Sequence, residues 1–156
     1  MTKRPIISLK QARLFAKKHG TPLYIYRKDI VARQYKNLAA SIKYPSKKIY
    51  FACKANTNLE ILKLLKGLGS KIETVSPGEI DRALKAGFKP EDISFTCSNI
   101  SRKELISVAQ KHVRVHLDSL NQLVWWGEEK LGKDISLRIN SGFGAGHHRR
   151  VITGGA

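Results

Sequence analysis

The chain has 156 residues, 42% of them hydrophobic, and its 29 Lys and Arg against 12 Asp and Glu give a net charge of +17. The length suffices for one core. No apolar run reaches membrane-spanning length, and the start Met1-Thr2-Lys3-Arg4-Pro5 lacks the apolar centre of a signal peptide, so a soluble cytoplasmic protein with no membrane partner is expected.

The charge alone would suit an anionic partner such as nucleic acid. The basic residues run from Lys3 to Arg150 without a basic tail or a zinc-finger, zipper or RNA-recognition signature, so a solvated basic surface is the expectation and nucleic acid is kept as the competing reading. Cys53 and Cys97 fall in predicted strands without metal-type spacing, which predicts reduced, buried thiols and no metal site.

In chain order, Ser8 is a plausible N-cap for a helix over residues 9–18 that His19-Gly20 ends. Thr21 to Tyr26 reads as a short extended segment. Ile30, Val31, Tyr35, Leu38 and Ala39 predict an amphipathic helix over about 29–42, which Tyr44-Pro45-Ser46 breaks. Residues 49–54 then alternate, with Ile49, Phe51 and Cys53 on one face and Tyr50, Ala52 and Lys54 on the other.

Lys54 closes that apolar strand. Its ammonium either snorkels to solvent or loses hydration, and a desolvated lysine has a lowered pKa and can condense with a carbonyl. Both readings stand on this stretch alone.

The same unit then recurs. A helix over 59–66 stops at Gly67-Leu68-Gly69, a strand over 71–76 meets Pro77-Gly78-Glu79, and the next helix ends at Ala86-Gly87. A strand over 93–98 precedes Ser101-Arg102-Lys103-Glu104, a capping box for a helix to His112. A strand over 113–117 is followed by a helix to about Leu131, and Gly132 by a strand over 135–140. Regular strand-helix alternation predicts an α/β fold with a parallel sheet, either doubly wound or a (β/α) barrel.

The faces favour the barrel. Ile93, Phe95 and Cys97 oppose Ser94, Thr96 and Ser98; Val113, Val115 and Leu117 oppose Arg114, His116 and Asp118; Ile135, Leu137 and Ile139 oppose Ser136, Arg138 and Asn140. With the apolar faces under helices, the polar ones turn inward, and Lys54, Asp118 and Arg138 come to the C-terminal ends of their strands, where such barrels hold their sites. A barrel needs about eight units and about five strands are legible, so an incomplete barrel is expected.

Four stretches in order carry a family resemblance: Phe51-Ala52-Cys53-Lys54-Ala55-Asn56, Glu73-Thr74-Val75-Ser76-Pro77-Gly78-Glu79-Ile80, His116-Leu117-Asp118-Ser119-Leu120, and Leu137-Arg138-Ile139-Asn140-Ser141-Gly142-Phe143-Gly144-Ala145-Gly146-His147-His148. Together they resemble the fold-type III pyridoxal-phosphate enzymes, the alanine racemase and ornithine/diaminopimelate decarboxylase group. The last stretch, running into Val151-Ile152-Thr153-Gly154-Gly155, is most similar to the diaminopimelate decarboxylases.

The resemblance implies a pyridoxal 5'-phosphate cofactor held by Lys54 as an internal aldimine, Arg138 approaching its ring oxygen, and Glu73 where relatives often have an aspartate near the cofactor. Its implied reaction is decarboxylation of meso-2,6-diaminopimelate to L-lysine, with a small amino-acid substrate and a homodimer at full length. The alternatives are an Arg138 ion pair with Asp118 and a solvated or paired Glu73.

His147-His148 follows glycines where imidazole can bind a phosphate or carboxylate, and His148 is a weak substrate-site candidate; adjacent histidines without a third ligand argue against a metal. Gly142, Gly144 and Gly146 lack the full dinucleotide fingerprint, and Trp125-Trp126 reads as helix packing. Ser141 stands where relatives usually have proline, and Arg150 near where they commonly have histidine.

Relatives also continue into further strands and a β domain. Residues 1–26 are accordingly read as a leading helix and strand, residues 27–156 as successive barrel units, and the chain alone is expected to have little activity. The same cofactor group includes ornithine, arginine and carboxynorspermidine decarboxylases and alanine racemase; a non-catalytic basic binding module is the reading from another class.

Overall fold

The computed structural model describes residues 6–142 and 144. The chain divides into two compact units, Met1–Pro45 and Ser46–Ala156. In the first, α1 (Leu9–His19) begins with a complete capping box: the Ser8 hydroxyl accepts from Gln11 N, and Gln11 Oε1 accepts from Ser8 N at 2.9 Å. Gly20, at φ 79°, ends it and donates to Ala16 O at 2.9 Å, in a backbone conformation suited to glycine. α2 spans Lys28–Ser41. Neither helix buries a residue, and Leu9, Leu14 and Leu38 are exposed. The segment read as a leading strand is not one: among the described residues no strand pairs with 21–26, and Tyr24 is exposed.

The second unit is a parallel sheet of five strands, β1 (Tyr50–Ala52), β2 (Lys71–Thr74), β3 (Ile93–Thr96), β4 (Arg114–Leu117) and β5 (Ser136–Leu137), in the spatial order of the sequence. Between them run α3 (Leu59–Gly67), α4 (Pro77–Lys85), α5 (Arg102–Ala109) and α6 (Leu120–Glu128). A doubly wound sheet reverses its strand order at a switch point; this one does not, so right-handed crossovers bring every helix to one face, as in a barrel.

That face is the core. Leu62 of α3, Ile80 and Ala83 of α4, Leu105 and Val108 of α5 and Trp126 of α6 pack with Cys53, Ile72, Ile93, Phe95, Val115 and Leu117. Trp126 also donates through Nε1 to Gly132 O at 3.1 Å, and Trp125 packs against the cluster, so the tryptophan pair is structural as expected. Ile135, Leu137 and Ile139 at the β5 edge are exposed.

Three helices begin alike. Ser76, Ser101 and Ser119 accept from the N–H groups of Glu79, Glu104 and Gln122, three residues on. Each strand is shorter than its alternating run: β1 gives way at Cys53 to a 3₁₀ turn, and β2 ends at Thr74 shortly before the Ser76 cap.

Candidate active site at the C-terminal ends of the strands

Lys54 does not close β1. Its strand stops at Ala52, and Lys54 sits in a single 3₁₀ turn, Cys53–Ala55, closed by Asn56 N donating to Cys53 O at 3.0 Å. The next residues secure the turn: Asn56 Oδ1 accepts from Asn58 N and Asn58 Oδ1 from Glu60 N, both at 2.9 Å. From α4, Arg82 donates to Thr57 O at 3.1 and 2.9 Å. Cys53 beneath is fully buried, and burial, aided by the Glu79 charge and opposed by Arg82, pushes its thiol up to about 11. It is an inert packing residue, whereas Cys97 is half-buried.

Parallel register builds the rest. Ala52, Glu73, Ser94 and Arg114 stand in one row across β1 to β4, and Thr96, His116 and Ser136 in the next. Lys54, Glu73, Val75, Ser94, Thr96, His116 and Arg138 line one open cavity of about 440 Å³ on the face away from the helices. The three sequence-predicted residues Lys54, Glu73 and Arg138 are thus brought together. Lys54 is exposed rather than buried, because its turn lies at the open rim and no described carboxylate pairs with it.

The ion pair considered for Arg138 is present: its Nη1 lies 3.7 Å from Asp118 Oδ2. The guanidinium still borders the cavity. His148, with His147 and Arg150, lies outside the described residues. No cluster of His, Cys, Asp and Glu suited to a metal occurs among the described residues.

His116 is a cavity residue that sequence reasoning placed on the inward face without assigning it a role. Its signal was the alternation of Val115 and Leu117 around it. Burial pushes the imidazole below its ordinary value, the Arg114 guanidinium acts the same way, and the Glu73 carboxylate opposes both. It is therefore mainly neutral at pH 7, able to donate or accept one hydrogen bond without adding a charge beside Lys54 and Arg138.

An exposed primary amine, a guanidinium and a neutral imidazole around a cleft suit a ligand that is both carbonyl and anion. Comparison with known proteins agrees. Residues 28–156 match the family described as pyridoxal-dependent decarboxylase, pyridoxal binding domain. A diaminopimelate decarboxylase of Methanothermobacter thermautotrophicus is 43% identical over 143 residues, covering 90% of this chain and 33% of that protein. One from Buchnera aphidicola is 39% identical, over 89% of this chain and 33% of the relative. The crystal structure of diaminopimelate decarboxylase from Helicobacter pylori complexed with L-lysine superposes with a TM-score of 0.82 at 35% identity, covering 93% of this chain and 38% of that one. The chain spans about a third of the length of the curated relatives it matches, 33% for the first. With a match running through Lys54, Glu73 and Arg138 to residue 156, the chain belongs to the pyridoxal-dependent decarboxylase family, in the part that binds pyridoxal.

Proposed function

We propose that this chain supplies the cofactor-binding part of a diaminopimelate decarboxylase, which removes carbon dioxide from meso-2,6-diaminopimelate to give L-lysine in lysine biosynthesis. The observation that carries the reading is the shared cavity of Lys54 and Arg138 at the C-terminal ends of parallel strands. The relative solved with L-lysine supports a small amino acid as ligand. The whole protein is proposed to act in the cytoplasm as a homodimer.

The residues present fit pyridoxal phosphate. An aldehyde needs a primary amine that no carboxylate has claimed, which Lys54 offers, and an anionic ring oxygen needs a fixed cation, which Arg138 offers. When bound, the cofactor supplies an electron sink for the pair left by departing carbon dioxide. The chain's own contributions are binding and orientation. Lys54 Nζ would hold the aldehyde carbon, and as a free amine at the rim it could carry a proton. Arg138 would face the ring oxygen; Glu73 and His116 border the cavity from β2 and β4 and would limit how the ring could lie.

The test is to supply the intact polypeptide with pyridoxal phosphate and meso-2,6-diaminopimelate and follow L-lysine and carbon dioxide. Lysine formation lost in Lys54→Ala is expected. Turnover of ornithine or arginine with none of diaminopimelate would move the assignment to another decarboxylase of the family.

A further inference from the structure

Asp118 is a carboxylate almost withdrawn from solvent, its side chain 9% exposed, at the end of β4. Burying a charged carboxylate is costly unless donors surround it. Here they do. Ser98, beyond β3, donates its hydroxyl to Oδ2; Gln122 of α6 donates through Nε2 to Oδ1 at 3.2 Å. Gln122 is itself 3% exposed and held on both sides, its Nε2 donating to Cys97 O at 2.8 Å and its Oε1 accepting from Asp118 N at 3.1 Å. Its backbone N–H is bound by the helix cap, Ser119 Oγ, at 3.2 Å. The carboxylate is therefore locked from β3, β4 and α6 before Arg138 is considered.

Arg138 meets this lock from β5. Its backbone N–H donates to Leu117 O at 2.8 Å, next to Asp118, and its guanidinium stands 3.7 Å from Asp118 Oδ2 while remaining 54% exposed and lining the cavity with Lys54. At 3.7 Å the pair is an ion pair rather than a short hydrogen bond, so the attraction aims the guanidinium while its N–H donors stay available to a ligand. A long, rotamer-rich side chain held this way loses less freedom when an anion binds.

We propose that Asp118, fixed by Ser98 and Gln122, is a positioning residue that sets the Arg138 guanidinium for the anionic ring oxygen of the cofactor. The inference rests on the function proposed above. The competing account is a purely structural bridge fastening the ends of three strands.

The two separate in a double-mutant cycle on the intact polypeptide, reading the pyridoxal-phosphate dissociation constant by absorbance titration and folding by thermal melting. Asp118→Asn keeps the shape and removes the charge; it should weaken cofactor binding roughly tenfold in the otherwise unchanged protein and less than about twofold in an Arg138→Ala background. Ser98→Ala, which leaves the charge but loosens it, should give a smaller loss with the same dependence on Arg138, and it serves if Asp118→Asn does not fold. Equal losses in both backgrounds, or lowered melting temperatures with unchanged cofactor affinity, overturn the proposal. If the unchanged protein takes up no cofactor at Lys54, the functional reading fails and this inference with it, an outcome distinct from normal uptake that is indifferent to Asp118.

Discussion

On the helix-covered side of the sheet Ile72, Phe95 and Leu117 are sealed against α3 to α6, whereas the opposite side of the same strands carries Lys54, Glu73, Ser94, His116 and Arg138 around an open cleft. The neighbours Phe95 and Ser94 differ by one position, and a slip of one residue would exchange their faces. Stability and chemistry are thus interleaved residue by residue, and substitutions on the two sides should separate the two cleanly.

The sharpest way to break the comparison is Lys54→Ala. It should abolish covalent cofactor uptake while shifting unfolding free energy by less than about 0.5 kcal/mol, since the side chain is exposed and touches no core. Denaturant unfolding that collapses in this variant would make Lys54 structural. On the other side, Phe95→Ala should cost about 3–5 kcal/mol in the same assay, without changing which lysine the cofactor labels in protein that remains folded.

Smaller effects sharpen the picture. Ser76→Ala removes the hydroxyl that caps α4 and should cost about 1 kcal/mol. Alkylation mapped by mass spectrometry should label Cys97 well before Cys53, whose thiol is buried and pushed up to about 11; equal rates would mean that the helix-covered side opens readily.

The subtlest is the pH response of His116. Its folded value lies below its ordinary 6.5, so the folded state binds fewer protons than the unfolded chain as pH falls through 6.5, and stability present above that pH is lost below it. His116→Gln should flatten that decline; an unchanged slope would place the imidazole in water.

Much of this division is legible in the sequence. Alternation in 93–98, 113–117 and 135–140 is local, so it revealed which residues turn inward, and the Ser101-to-Glu104 pattern fixed a helix start. What was not legible depends on turn geometry and on side-chain partners drawn from other elements. The exposure of Lys54 follows from a 3₁₀ turn secured by Asn56, Asn58 and Arg82 rather than from the apolar run before it. The place of His116 in the cleft needs the register that sets it beside Thr96 and Ser136. The Asp118 lock draws on Ser98 and Gln122, which no single motif links. The extended segment 21–26 pairs with no described strand, and a strand exists only where another pairs with it.

The most direct measurement is peptide mapping after borohydride reduction of the protein with an equimolar amount of pyridoxal phosphate. A chain with 19 lysines offers many competing amines, so selectivity is the informative quantity. The cleft predicts that the pyridoxyl label concentrates on the peptide carrying Lys54 and falls when Arg138 is replaced by Ala. Label spread evenly over the surface lysines, with Lys54 no richer than the rest, would contradict it.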